Sequence, residues 1–74
     1  MMEPILIANL EKNKAETLRV QLTEFRGYHL VDCRSFMTST DKATKKGISI
    51  NVDLLPDLIA ALQMAQTTVQ EMQS

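Results

Sequence analysis

Seventy-four residues make one small domain that buries roughly 60% of its unfolded surface, which leaves a lone copy marginal and favours stabilisation by assembly. The single cysteine, Cys33, excludes an intrachain disulfide, and the single histidine, His29, stands without the Cys or carboxylate cluster that a zinc centre needs. The net charge of −1 argues, taken whole, against a polyanion partner, and no stretch approaches the ~20 apolar residues of a membrane span.

Glu3 stands where a secretion signal carries a cation, and Pro4-Ile5-Leu6-Ile7-Ala8 is too short for its apolar centre, so the chain is expected in the cytoplasm. Residues 4–10 read as a short first strand. Residues 16–25 alternate: Leu18, Val20 and Leu22 point one way, and Arg19, Gln21, Thr23 and Phe25 the other, the mark of a half-buried strand. Arg26-Gly27 supplies a turn, since glycine takes φ > 0 without steric cost. The next strand covers 28–37, with Val31 and Cys33 suited to a core and Leu30, Asp32, Arg34 and Phe36 opposite. Asp32, between apolar neighbours, is expected to pair with a cation, because a lone buried carboxylate is costly. Thr38 to Lys42 is a polar loop, and Gly47 to Asn51 a further strand with Ile48 and Ile50 facing inward.

From Asp53 the period changes. Leu55, Leu58, Ile59, Leu62, Ala65, Val69 and Met72 recur every three to four residues, an amphipathic helix. Asp53 suits its N-cap and Pro56 its first turn, where backbone N–H groups lack partners anyway; residues 70–74 are expected to fray. The fold class is α+β, a single domain over residues 1–74: a curved antiparallel sheet of about four strands, then one C-terminal helix. One helix covers one face of the sheet and leaves the other for solvent or a ligand.

Charge is unevenly spread. All eight cations lie between positions 12 and 46 with four acids, a net +4, while residues 1–11 carry −2 and residues 47–74 carry −3. Such asymmetry points to polyanion contact. Phe25 shares a strand face with Arg19, away from the apolar side chains; it suits base stacking, worth ~1–3 kcal/mol per base, or packing under a loop or in a dimer contact. Arg34 and Phe36, two residues apart, suit a phosphate and a base together, or a cross-strand ion pair and a core ring. Lys45-Lys46-Gly47 joins two ammonium groups to a backbone that can come close to phosphate, or is a solvated turn; without the upstream glycine it is no nucleotide-binding loop. No nucleophile–base constellation or catalytic carboxylate pair is present, so no enzymatic activity and no cofactor are expected. His29 reads as a surface residue and Cys33 as a small core residue.

From Glu16 to Asn51, the run LRVQLTEFRGYHLVDCRSF followed by KKGISIN resembles the single-stranded-DNA-binding domain of the transcriptional coactivator p15 (PC4) family, and the likeness extends more loosely through the final helix. The resemblance implies a PC4- and Whirly-like fold and a homodimer whose helices pack across a two-fold axis, with Leu58, Leu62 and Val69 at the interface. It also implies sequence-independent binding of single-stranded DNA, with RNA or melted duplex as further ligands, and contacts with RNA polymerase or other transcription proteins. Family members place an aromatic at the position of Phe25 and a backbone-contacting arginine at that of Arg34. Arg19, Arg26, Phe36, Lys45, Lys46 and Gly47 complete the implied surface. The chain resembles a bacterial or phage member without the Ser- and Lys-rich tail of the eukaryotic proteins. Met37 stands where eukaryotic members carry a stacking tryptophan, and Thr23 and Tyr28 where they carry cations. The rival reading is a dimeric interaction module in which Phe25 and Phe36 anchor a protein partner.

Overall fold

Two ten-residue strands with uninterrupted alternation dominate the computed structural model, which describes residues 3–74. They are β2 (Glu16–Phe25) and β3 (Tyr28–Met37), paired antiparallel without a break from Glu16 opposite Met37 to Phe25 opposite Tyr28. Arg26 and Gly27 join them at φ 51° and 83°. Two successive positive φ values give a primed turn, whose twist matches that of the strands it connects. β1 (Ile5–Glu11) pairs with β2 on one side and β4 (Ala43–Asn51) with β3 on the other, giving one antiparallel sheet in the order β1-β2-β3-β4. The expected strands are therefore present, and β4 begins four residues earlier than the alternation suggested.

The remaining connections are fixed by short polar side chains. Asn13 accepts the N–H groups of Ala15 at 2.9 Å and Glu16 at 2.8 Å, which closes the β1–β2 loop. In the β3–β4 loop Asp41 sits at φ 56°, a left-handed conformation that Asp tolerates better than most residues. Its N–H donates to Met37 O at 2.8 Å, and Thr38 N–H donates to Ala15 O at 2.8 Å, which ties the two loops together at one end of the sheet.

Directly paired residues project to the same side of a sheet. One face thus gathers Leu18, Val20 and Leu22 with Val31, Cys33, Ser35, Ile48 and Ile50, extended by Ile5, Ala8 and Leu10 of β1. The other carries Arg19, Gln21, Thr23 and Phe25 beside Tyr28, Leu30, Asp32, Arg34 and Phe36. A bulge interrupts β4. Arg34 faces Gly47 and Phe36 faces Ala43, so Ser35 stands opposite three residues, Thr44 to Lys46. The Thr44 hydroxyl donates to Ser35 O at 2.9 Å and accepts from Lys46 N–H at 3.1 Å, holding the extra residues in place.

A single 3-10 turn, Val52–Leu54, leads into α1, Leu55–Gln73. Asp53 does not cap α1, whose N-cap position is Leu54 without a side-chain bond; it lies inside the 3-10 turn, which Asn51 caps by accepting Asp53 N–H at 2.9 Å. Pro56 occupies the first turn of α1, as expected, and the helix continues through residues 70–73 rather than fraying there. The expectation that this helix covers the apolar sheet face is corrected. Its substantial contacts are with the 3-10 turn, which in turn leans on β3. Only Leu55 and Leu58 of its stripe are half-buried, and Leu62 is 60% exposed. Ile48 accordingly faces the apolar side in register with Cys33 yet stays 53% exposed, and among the described residues Val31 alone is a buried apolar side chain. The Cα radius of gyration, 14.3 Å, exceeds the ~11 Å of a compact chain of this length.

Candidate nucleic-acid interface

Arg19 and Arg34 are direct cross-strand partners at the centre of the polar face. Like charges set opposite each other repel, and each guanidinium is held by its own set of acceptors. Arg19 donates from Nη2 to Asp41 Oδ1 at 2.6 Å and from Nε to Asn9 Oδ1 at 3.4 Å, and its guanidinium lies 4.0 Å from the centre of the Phe36 ring. Arg34 donates from Nε and Nη2 to the two Asp32 oxygens at 3.3 and 3.1 Å, and from Nη1 to Thr44 O at 3.1 Å. The cation partner expected for Asp32 is thus Arg34 on its own strand, in the forked geometry that suits a carboxylate.

Gly47 has a structural reason to lack a side chain. A Cβ there would lie 2.6 Å from Cys33 O and 2.8 Å from Arg34 Cα, so β4 can pass over Arg34 only with glycine at this position. Arg19, Arg34, Phe36 and Gly47 are in this way brought together near the loop end of the sheet.

Phe25 and Arg26 lie elsewhere, at the tip of the β2–β3 hairpin. Six residues of strand separate Phe25 from Arg19, roughly 20 Å. Phe25 is 60% exposed, and the Arg26 guanidinium stands 5.1 Å from the centre of its ring. Tyr28 pairs with Phe25 across the turn and is also exposed, a second accessible ring at the tip and, with Phe36, one of two alternatives to Met37 as a further stacking position.

Lys45 and Lys46 occupy the β4 bulge. The Lys46 ammonium lies 3.5 Å from Glu16, a residue that follows the apolar face of β2, and Lys12 approaches the same carboxylate at 3.5 Å. Glu16 is held below the usual carboxylate range, first by the hydroxyl of Ser35, then by Lys46 and Lys12, against the opposing effect of desolvation. Ser35 is 1% exposed, and its hydroxyl reaches no acceptor with full hydrogen-bond geometry. The approach of this hydroxyl to Glu16 favours the charged carboxylate without completing a bond, and both lysines act in the same direction. His29 is exposed at the hairpin end, as expected, and Cys33 is a half-buried free thiol on the apolar face. No group of metal-ligating side chains occurs among the described residues, and no described helix is long and apolar enough to cross a membrane.

Chemically, the polar face offers two adjacent guanidiniums, an arginine-backed aromatic ring and an exposed aromatic tip, all on one side of an open sheet. Residues 12–61 match the family model described as Transcriptional Coactivator p15 (PC4). The fold is similar to the crystal structure of a PC4 homolog from Burkholderia pseudomallei, at a TM-score of 0.79 and 28% sequence identity over 86% of this chain and 98% of that one. No curated protein gives a match.

Proposed function

We infer, from the transcriptional coactivator p15 (PC4) family to which this chain belongs, that it binds single-stranded or unpaired DNA, largely without regard to sequence, in support of transcription, replication or repair. The observation that carries this reading is the shared side of Phe25, Arg19, Arg34 and Phe36: an exposed ring at the tip, a half-buried ring beneath Arg19 and cations for the backbone on one sheet face. Phosphate contacts come from Arg19, Arg26, Arg34, Lys45 and Lys46, with Gly47 allowing the close passage of β4. Stacking falls to Phe25 and, at the centre, to Phe36 under Arg19. Binding is non-catalytic, and the site of action is cytoplasmic, with the nucleoid as its place in a bacterial cell.

The working unit in this reading is a homodimer. A stripe of exposed Ile59, Leu62, Val69 and Met72 and a sheet face without a cover together call for a second apolar surface. An identical chain supplies it, with Leu58, Leu62 and Val69 meeting their counterparts across a two-fold axis.

Gel shift of a labelled single strand, challenged with unlabelled duplex, tests the function. Binding that survives excess duplex is expected. Equal competition by duplex, or no shift, would favour the alternative of a dimeric module that docks on a protein of the transcription machinery through Phe25 and Phe36.

A further inference from the structure

Residues 12–46 carry a net charge of +4, yet half of their eight cations are held in ion pairs. Arg19 is paired with Asp41, Arg34 with Asp32, and Lys12 and Lys46 share Glu16. Among the described residues Lys14, Arg26, Lys42 and Lys45 have no ion-pair partner within 4.0 Å, although Arg26 lies over an aromatic ring. The paired arginines are the two at the middle of the proposed binding face, set directly opposite each other. Their acids come from different elements, Asp32 from β3 and Asp41 from the β3–β4 loop.

Each guanidinium also has neutral anchors that do not depend on its acid. Arg19 keeps the Phe36 ring at 4.0 Å and Asn9 at 3.4 Å, and Arg34 keeps Thr44 O at 3.1 Å. Removing either carboxylate therefore frees a charge without releasing the side chain that bears it. We propose that Asp32 and Asp41 are internal competitors of phosphate: they neutralise the twin arginines in the free protein and give them up to the backbone of a bound strand. The proposal rests on the single-strand reading above and adds its control. A guanidinium already neutralised by a carboxylate contributes less to binding than a free one, because the new contact is made at the expense of an old one. Affinity is thereby lowered and its dependence on salt made shallower than the count of cations on this face implies. The same acids relieve the repulsion between Arg19 and Arg34, so they stabilise the sheet while restraining its ligand.

The test compares Asp41→Asn and Asp32→Asn with Glu71→Gln, which makes the same change in net charge near the far end of α1. Fluorescence anisotropy of a labelled oligothymidine strand is read over a salt series, and thermal melts are recorded on the same samples. Asparagine tolerates the left-handed backbone at position 41 as aspartate does, so Asp41→Asn carries the test alone if Asp32→Asn fails to fold. Each Asp variant is expected to tighten binding by about two- to fivefold, the scale of an exposed ion pair. Each should also steepen the log–log salt slope by ~0.7 and melt slightly lower. Glu71→Gln should leave the slope unchanged, and the gain from Asp41→Asn should vanish in an Arg19→Gln background. Weaker binding by the Asp variants, an unchanged slope, or an equal gain from Glu71→Gln would overturn the proposal while leaving the single-strand reading intact. Failure of every protein, wild type included, to bind the strand would defeat both.

Discussion

On the face that carries Arg19 and Arg34, donors meet acceptors within the chain, Arg34 two residues away along its own strand and Arg19 at the loop beyond the neighbouring strand. On the face that carries Leu18 and Val20, the apolar side chains meet no second layer, and the helix that could have supplied one leaves the sheet after its 3-10 turn. Hydrogen bonds and ion pairs are short-range and directional, so seventy-four residues can satisfy them locally. Burial scales with area, and a four-stranded sheet with one departing helix has too little of it. The polar face is satisfied within one copy; the apolar face is left largely uncovered.

The sharpest way to break that contrast is to charge the helix stripe. Leu58→Asp with Leu62→Asp should abolish the proposed dimer in sedimentation and cost roughly 4 kcal/mol or more in urea unfolding, since the interface would have to bury two unpaired carboxylates from each copy. A variant that keeps both its stability and a mass equal to wild type would show that the stripe is merely solvated. Next in size is Phe25→Ala. Its ring is mostly exposed, so the urea midpoint should hardly move while affinity for single strands falls by ~1–3 kcal/mol with little dependence on salt. A loss of ~3–5 kcal/mol of stability would instead make Phe25 a packing residue.

Much of this division is legible in the sequence. Clean alternation over 16–25 carries strand type, length and facing, because one residue of slip would turn its apolar side chains outward, and 28–37 follows as its partner across the Arg26-Gly27 turn. The pairing of Asp32 with a cation follows from the cost of an isolated carboxylate. Less visible is what depends on distant backbone. The early start of β4 is hidden by its bulge, where Thr44 to Lys46 crowd opposite one residue and the alternation fails. Asp53 is a good cap by composition, but the chain turns two residues sooner, at Asn51. The departure of the helix leaves only a partial mark: the stripe runs on through Val69 and Met72, farther than a four-stranded sheet needs, but its first turns read the same whether they meet their own sheet or another chain. Asp41 reads as a loop residue; only the fold places it against Arg19. The sequence does hold one signal, because strands paired through Phe25 and Tyr28 set Arg19 opposite Arg34, and two facing cations require acids nearby.

The two lysines of the bulge sharpen the comparison further, since Lys46 approaches Glu16 at 3.5 Å and Lys45 has no ion-pair partner within 4.0 Å among the described residues. Lys45→Ala with Lys46→Ala should weaken binding to all strands alike, and a full phosphate contact from each would lower the log–log salt slope by ~0.7 apiece. Because Lys46 is already shared with Glu16, the combined fall is expected to be nearer one contact than two. Single variants measured over the same salt series resolve the shares, and an unchanged slope for both would make them solvated residues.

The smallest effect belongs to Glu16, where the two faces meet. Its carboxyl is held below the ordinary range in the folded chain, so between that lowered value and the unfolded value of ~4.3 the unfolded state binds more protons. The stabilisation is therefore present above the unfolded value and is lost as pH falls through the folded one. Glu16→Gln should flatten the acid limb of stability against pH, because the variant is slightly less stable at neutral pH and converges with wild type as pH falls below the folded value. Identical acid limbs for the two proteins would show that the Ser35–Lys46–Lys12 surroundings do not couple to folding.

The turn at the hairpin tip bears on any attempt to engineer this protein. Arg26 holds a left-handed backbone that costs an ordinary L-residue about 1–2 kcal/mol, whereas asparagine before glycine is the pair this kind of turn favours. A stability-guided redesign would therefore select position 26 early and replace its arginine. The same exchange would strip Phe25 of the guanidinium beside its ring. Screens for thermostable variants and screens for strand capture should consequently diverge at this one residue, and libraries built on melting temperature alone would enrich sequences with a blunted tip.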